Sequence, residues 1–254
     1  EEYKMKLAIM QPYFMPYIGY WQLIANTNKF IFFDVVQYNK KSWMNRNRIL
    51  HPNTEKNYQY ISIPIKKHEK GTLISKILIN NEEKWRDEII GKLTFYKKLN
   101  AKFYPETINL LDNIFSNTST TFLDLIISTT ESICKYLDLP FEYEIASKIK
   151  FDRDIIEGPG DWALSICQSL NAKNYLNPYS GYNIFDEEKY KKNSIDIKFI
   201  KSNLTPYNQS YKGDFVPGLS ILDLLMFKSK EEIKKIIKSD FKIFSKSELV
   251  QLYG

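Results

Sequence analysis

Cysteine and histidine are almost missing: the 254 residues hold two of each. Cys134 and Cys167 sit in apolar patterns of helical spacing, no C-x-x-C occurs, and His51 and His68 are remote from both. That excludes the usual zinc spacings and a disulfide framework, and two buried, reduced thiols are expected. No apolar run reaches the ~18 residues of a membrane span. No basic region followed by an apolar one and a small-residue cleavage site opens the chain. Met5 reads as the native start, the cytoplasm as the expected location, and no membrane insertion is foreseen. Internal repeats and low-complexity linkers are also lacking. So is any dense basic patch joined to an RNA-binding signature, and nucleic acid is therefore not an expected partner.

What is present is an ordinary globular composition, 43% hydrophobic and 26% charged, with 18 Tyr and 16 Phe. The length suits one large domain or two small ones. The net charge of +6 fits an anionic partner such as a phosphate or nucleotide, although a solvated lysine-rich surface explains it equally well.

The chain is organised around the stretch Met10 to Arg48. The apolar run Lys6 to Met10 has strand length and ends at Gln11-Pro12, where proline stops a ladder. Pro16 and Gly19 bracket a loop entering a helix over Tyr17 to Asn26, and a second apolar run, Phe30 to Phe33, ends on Asp34. This is one βαβ unit, and such units place ligands at the carboxyl ends of their strands, here at Gln11 and Asp34. Gln37, Lys40, Lys41, Trp43, Asn45, Arg46, Asn47 and Arg48 follow, a polar, cationic and aromatic run hard to assign to packing.

Further on, Tyr58–Ile65 and Leu73–Ile79 read as two strands of a hairpin. Residues 82–138 read as a helical insertion, expected to cap the ligand edge of the sheet. After it, α/β order returns: a strand near 141–145, a helix over 162–170 with Asp161 as N-cap, short strands near 174–176 and 195–200, a polar loop over 207–218, and the apolar helix Leu219–Phe227. The fold expected is α/β, a Rossmann-like mainly parallel sheet with a helical insertion: one domain over 5–227, then a lysine-rich helical tail over 228–254.

Several separated motifs then converge on one likeness. Met10-Gln11-Pro12-Tyr13-Phe14, Pro16-Tyr17-Ile18-Gly19-Tyr20, Asn45-Arg46-Asn47-Arg48, Ile63-Pro64-Ile65, Trp85, Tyr96-Lys97-Lys98, Tyr175-Leu176, Ser180-Gly181 and the run Phe215 to Leu225 together resemble the WbqC-like family, from Met5 to about Phe227. One departure is that the family usually reads S-G-x-x-G near Tyr175, whereas here Asn177-Pro178-Tyr179-Ser180-Gly181 displaces the serine and glycine. The resemblance implies a setting in bacterial surface-polysaccharide (O-antigen) biosynthesis, and hence work on a nucleotide-linked amino sugar. The opening unit also resembles, more weakly, nucleotidylyltransferases and pantothenate synthetase. Their H-x-G-H histidines are replaced by Tyr17 and Tyr20, and tyrosine, with a pKa of about 10, is no cation at neutral pH.

Three functions are therefore carried. The first is a transferase forming an amide on a nucleotide-activated amino sugar. In it Asp34 (or His51 or His68) serves as base, Gln11 and Asn45 stabilise the oxyanion, and Lys41 and Arg46, with Lys40 and Arg48, clamp the diphosphate. Tyr13, Tyr17 and Trp43 offer ring-stacking surfaces. Gln37, Asn47, Ser180, Gly181, Gln209 and Tyr211 complete the substrate wall, and the site is expected where the loops after residues 10, 34 and 176 converge with the 207–218 loop. Each has a bland alternative as loop, core or surface residue. The second function is an ATP-dependent ligase or nucleotidylyltransferase, the third a non-catalytic binding module. No metal is expected. The co-substrates in view are ATP or an acyl donor, and the partners a small nucleotide-sugar and, at most, a second copy of the chain in a homodimer.

Overall fold

The computed structural model describes residues 5–40 and 42–254. In chain order its elements are β1 (Lys6–Met10), α1 (Ile18–Ala25), β2 (Lys29–Phe32), β3 (Arg46–Leu50), β4 (Tyr58–Ser62), α2 (Trp85–Lys98), α3 (Tyr104–Phe115), α4 (Phe122–Tyr136), β5 (Tyr143–Ile145), α5 (Asp161–Ser169), β6 (Asn174–Pro178), α6 (Glu187–Lys192), β7 (Asp196–Ser202), α7 (Ile221–Phe227), α8 (Lys230–Ser239), β8 (Phe241–Phe244) and α9 (Lys246–Tyr253).

Six strands form one sheet in the order β5-β2-β1-β6-β7-β8. All neighbours are parallel except β7 and β8, so the expected Rossmann-like sheet is what the chain builds. Its central strands β1, β2 and β6 are largely buried on both faces, which is why they read as apolar runs rather than alternating ones. Ala8, Phe30, Phe32, Leu176 and Ile200 face a large core shared with α1, α7, α8 and the inserted helices. Leu7, Ile9, Ile31, Tyr175, Ile197 and Phe199 face a second core under α5 and α9. The lysine-rich C-terminal stretch is not helix throughout. Capping boxes at Ser229/Glu232 and Ser245/Glu248 start α8 and α9, and between them β8 adds an antiparallel edge strand.

The pairing of the middle strands differs from the sequence expectation. β4 pairs with β3, in register Arg48↔Tyr60, while the 73–79 segment holds a short 3-10 turn and meets the end of 58–65 through an Ile65↔Ile79 bridge. Asp161 is also not an N-cap: its carboxylate reaches back to the amides of Glu157 and Gly158 and to Lys189 Nζ.

One buried carboxylate ties the α7 side together. Asp223 is fully buried and accepts from the Tyr96 hydroxyl at 2.7 Å, from Gln209 Nε2 at 2.9 Å and from the Tyr207 hydroxyl. Tyr96 in turn accepts from the Leu50 amide at 3.0 Å, so α2, β3, α7 and the 207–218 loop share one hydrogen-bond chain. Burial raises the Asp223 pKa above its ordinary 3.8, and the three donors only partly offset that. The folded chain therefore holds this proton more tightly than the unfolded chain. The group's stabilising contribution is complete below the unfolded pKa and shrinks as pH rises through the folded one.

Asp223→Ala orphans three buried donors and is expected to cost about 3–5 kcal/mol. Thermal unfolding across a pH series should show the gap between wild type and variant narrowing as pH rises through the Asp223 titration.

Candidate functional site

β1 pairs with β2 on one side and with β6 on the other. The chain leaves β1 through α1 toward β2 and reaches the far side of β1 only at β6. Nothing sequentially adjacent roofs the carboxyl ends of β1 and β6, which makes this the topological switch point where open α/β sheets bind ligands. A cavity of about 1000 Å³ lies there, large enough for a nucleotide-sized ligand.

Strand ends supply its floor: Ile9, Met10 and Gln11 from β1, Phe33 behind β2, and Tyr175 and Asn177 from β6. The first turn of α5 adds Pro159, Trp162 and Ala163, with Trp162 held edge-on by Phe33 at 5.6 Å. The remaining walls come from two loops that pair with each other. Ile74 N–H donates to the Val36 carbonyl at 3.0 Å and Tyr38 N–H to that of Thr72 at 2.9 Å, and Gln37 bridges Leu73. This pairing brings Gln37, Tyr38, Asn39 and Lys40 beside His68 and Lys70.

Among the described residues, the lining contains Lys40, Lys70 and His68 and no aspartate or glutamate. Among the described residues neither lysine is paired with a carboxylate, so the lining carries positive charge that suits an anionic ligand. His68 Nδ1 lies 3.0 Å from the Glu69 carbonyl oxygen. A carbonyl only accepts, so in that contact Nδ1 carries the proton and a neutral ring keeps its lone pair on Nε2. Among the described residues Nε2 is buried without a partner, and the ring stands edge-on to Tyr38 at 5.3 Å. Burial pushes the Tyr38 phenol up to about 12 despite the opposing charge of Arg46, and burial also raises Tyr13. Both remain neutral donors at physiological pH.

Asn177 is held in one orientation. Its Oδ1 accepts from the Tyr175 hydroxyl at 2.9 Å, and its Nδ2 donates to the Pro178 carbonyl at 2.9 Å.

Of the residues singled out from sequence, Gln11, Tyr13 and Gln37 line the cavity, and Lys40 and His68 join them. The others lie elsewhere. Asp34 is fully buried and accepts from Ser147 N–H at 2.8 Å and Ser147 hydroxyl at 2.6 Å; it anchors the turn after β5, with no face open to an amine. Asn45 donates to the Ile63 carbonyl at 2.9 Å, and the buried Asn47 to that of Phe14 at 3.2 Å, so both brace loops. Arg46 packs over Tyr60, and Arg48 lies between Trp43 and Tyr58 while donating to the Gly218 carbonyl. This ladder sits on the β3–β4 hairpin, outside the cavity lining. Gln11, Asp34 and Arg46 therefore do not converge, and the clamp expected at Arg46 is not part of the cavity. Lys41 lies outside the described residues.

Tyr17 precedes α1 and bridges Ser220. Tyr20 is buried and donates to the Gln11 carbonyl at 3.0 Å. Ser180 and Gly181 lie in a 3-10 turn beside the cavity, outside its lining. Gln209 is closed on Val216 and Asp223. Tyr211 donates to the His51 carbonyl at 3.0 Å, and His51 Nδ1 accepts from Asn53 N–H. The helical insertion is no cap: α2, α3 and α4 contribute nothing to the lining and pack against the hairpin and α7 side. Burial pushes the Cys134 thiol up to about 12 and raises Cys167 as well, so neither offers a thiolate.

The loop after residue 176 reaches the cavity while the 207–218 loop does not line it, and Lys70, Trp162 and Asn177 were not named as site residues from the sequence. Asn177 carried a signal, since it closes β6 as Gln11 closes β1. Lys70 sat in a turn read only as polar.

Comparison with known proteins adds two findings. The profile described as "WbqC-like protein family" matches residues 11–235. The chain is also 32% identical over 225 residues, 87% of its own length and 92% of the other's, to "Uncharacterized protein Rv1507c" of Mycobacterium tuberculosis. No solved structure matches.

Asp34→Ala leaves both Ser147 donors unpaired and should cost about 1–3 kcal/mol, a Tm lowered by about 3–10 °C. A melt tests this; an unchanged Tm would mean that Asp34 is not an anchor.

Proposed function

The chain belongs to the WbqC-like protein family, and on that premise we propose that it is a transferase forming an amide on the amine of a nucleotide-activated sugar, as in surface-polysaccharide building. The observation that carries the reading is a nucleotide-sized cavity at the sheet's switch point, lined by Lys40, Lys70 and His68 and free of carboxylates among the described residues. Lysines favour a diphosphate as point charges. Gln11 has no side-chain partner among the described residues and projects donors where β1 ends.

In this reading the sugar amine attacks the carbonyl carbon of an activated acyl donor, and the new C–N bond forms as the proton passes from nitrogen to His68 Nε2. Gln11 donates to the oxygen that gains charge. The bond from acyl carbon to its leaving group then breaks, and the leaving group departs with the electron pair. His68 returns the proton to solvent or to the leaving group. The raised thiols favour direct attack over an acyl-enzyme on cysteine.

An ATP-dependent ligase is supported less. The second tyrosine of the opening motif, Tyr20, spends its hydroxyl on the Gln11 backbone and offers nothing to a phosphate.

Incubation with nucleotide amino sugars and acyl thioesters, followed by mass spectrometry, is expected to yield the N-acylated sugar. His68→Gln should lower turnover about 10²–10⁴-fold with binding retained. The double variant Lys40→Ala, Lys70→Ala should weaken nucleotide-sugar binding about tenfold or more at unchanged Tm. Retained binding without any product would leave a binding module.

A further inference from the structure

Across the sheet the strand ends run β2, β1, β6, two strand spacings or about 10 Å. The loops behind β2 bring the lysines, β1 brings Gln11, and β6 brings Asn177. A diphosphate held on the cationic side leaves a neutral part of the ligand to meet the amides of Gln11 and Asn177.

The Asn177 amide is oriented by its partners. Pro178 presents a carbonyl, which only accepts, so the atom facing it is the nitrogen. Oδ1 is occupied by the Tyr175 hydroxyl. One N–H is thus left over, on a side chain that lines the cavity and is only 8% exposed. Space for that nitrogen depends on Gly181. A Cβ there would stand 2.7 Å from Asn177 Nδ2, inside contact distance, while the Gly181 backbone lies outside the left-handed region and demands no glycine of its own. The glycine is explained by the room it leaves for the amide.

We infer that Asn177 is a specificity-determining residue that donates its remaining N–H to an acceptor oxygen, a hydroxyl or carbonyl, on the sugar part of the ligand, and that Gly181 is the positioning residue that makes this geometry possible. The inference rests on the phosphate reading of Lys40 and Lys70, and the test below distinguishes the failure of one from the failure of the other. It also gives Gly181, of the displaced Ser180-Gly181 pair, a role of its own.

The test is isothermal titration of the whole protein with UDP, dTDP and GDP and with their amino-sugar conjugates. The quantity read is the ratio of Kd for the nucleoside diphosphate to Kd for its sugar conjugate. Wild type is expected to prefer one conjugate by about tenfold or more. Asn177→Ala and Gly181→Ala should each remove most of that preference and leave the affinity for the bare diphosphate within about twofold. Tyr175→Phe, which frees Oδ1 while keeping the ring, should lower it partway, and serves if Gly181→Ala fails to fold. A preserved ratio, an equal loss of both affinities, or a wild-type ratio near one would overturn the inference. If no diphosphate binds wild type at all, the phosphate reading falls and the inference falls with it.

Discussion

Two neighbouring parallel strands, β1 and β6, send their chains away to opposite sides from the same end of the sheet. The crevice between their carboxyl ends cannot be covered by either connection, and every other feature of the site follows from that constraint. It leaves a floor of strand-end backbone and side chains. The first turn of α5 borders it. The remaining walls must come from segments distant in sequence, here the 36–40 and 68–70 loops, joined to each other by backbone hydrogen bonds. The positive charge enters through these borrowed walls.

Around the crevice, much of the conspicuous polarity is scaffold. Asp34, Asn45, Asn47, Gln209 and Asp223 each spend their side chains on backbone or on other buried groups. The loop after β1 shows the result. Phe14 is held by Met44 and Asn47, the Met15 carbonyl by the Ser220 hydroxyl and the Pro16 carbonyl by the Ile221 amide. A loop fixed at so many points presents Gln11 and Tyr13 with little freedom, which is what a binding site needs from its support.

The opening unit was legible because its physics is local. Two apolar strands, a proline stop and a short apolar helix between them announce themselves by length and punctuation, and the strand-end rule then pointed to Gln11. The same rule placed the loop after residue 176 at the site without singling out Asn177. What the sequence hid is whether a polar side chain is satisfied by its own chain or by a ligand. Arg46 and Arg48 look like a phosphate clamp, yet they stack on Tyr60, Trp43 and Tyr58 across a hairpin. That hairpin was itself hidden because the polar, cationic run that becomes β3 does not read as a strand, and β4 was paired with the 73–79 segment instead. The inserted helices were readable as helices, but not their docking. Which apolar face meets which neighbour is decided by tertiary packing, and it carried them to the α7 side. β8 is a four-residue edge strand between two capped helices, too short to stand out against the surrounding lysines.

The central claim is that the switch-point cavity, and not the arginine-aromatic hairpin, takes the phosphorylated end of the ligand. A crystal structure with a bound nucleotide sugar tests it most directly. The account predicts the diphosphate beside Lys40 and Lys70 with the sugar extending past Gln11 toward Asn177. Ligand seated on the Trp43–Tyr58 face, with the cavity holding only solvent, would contradict it.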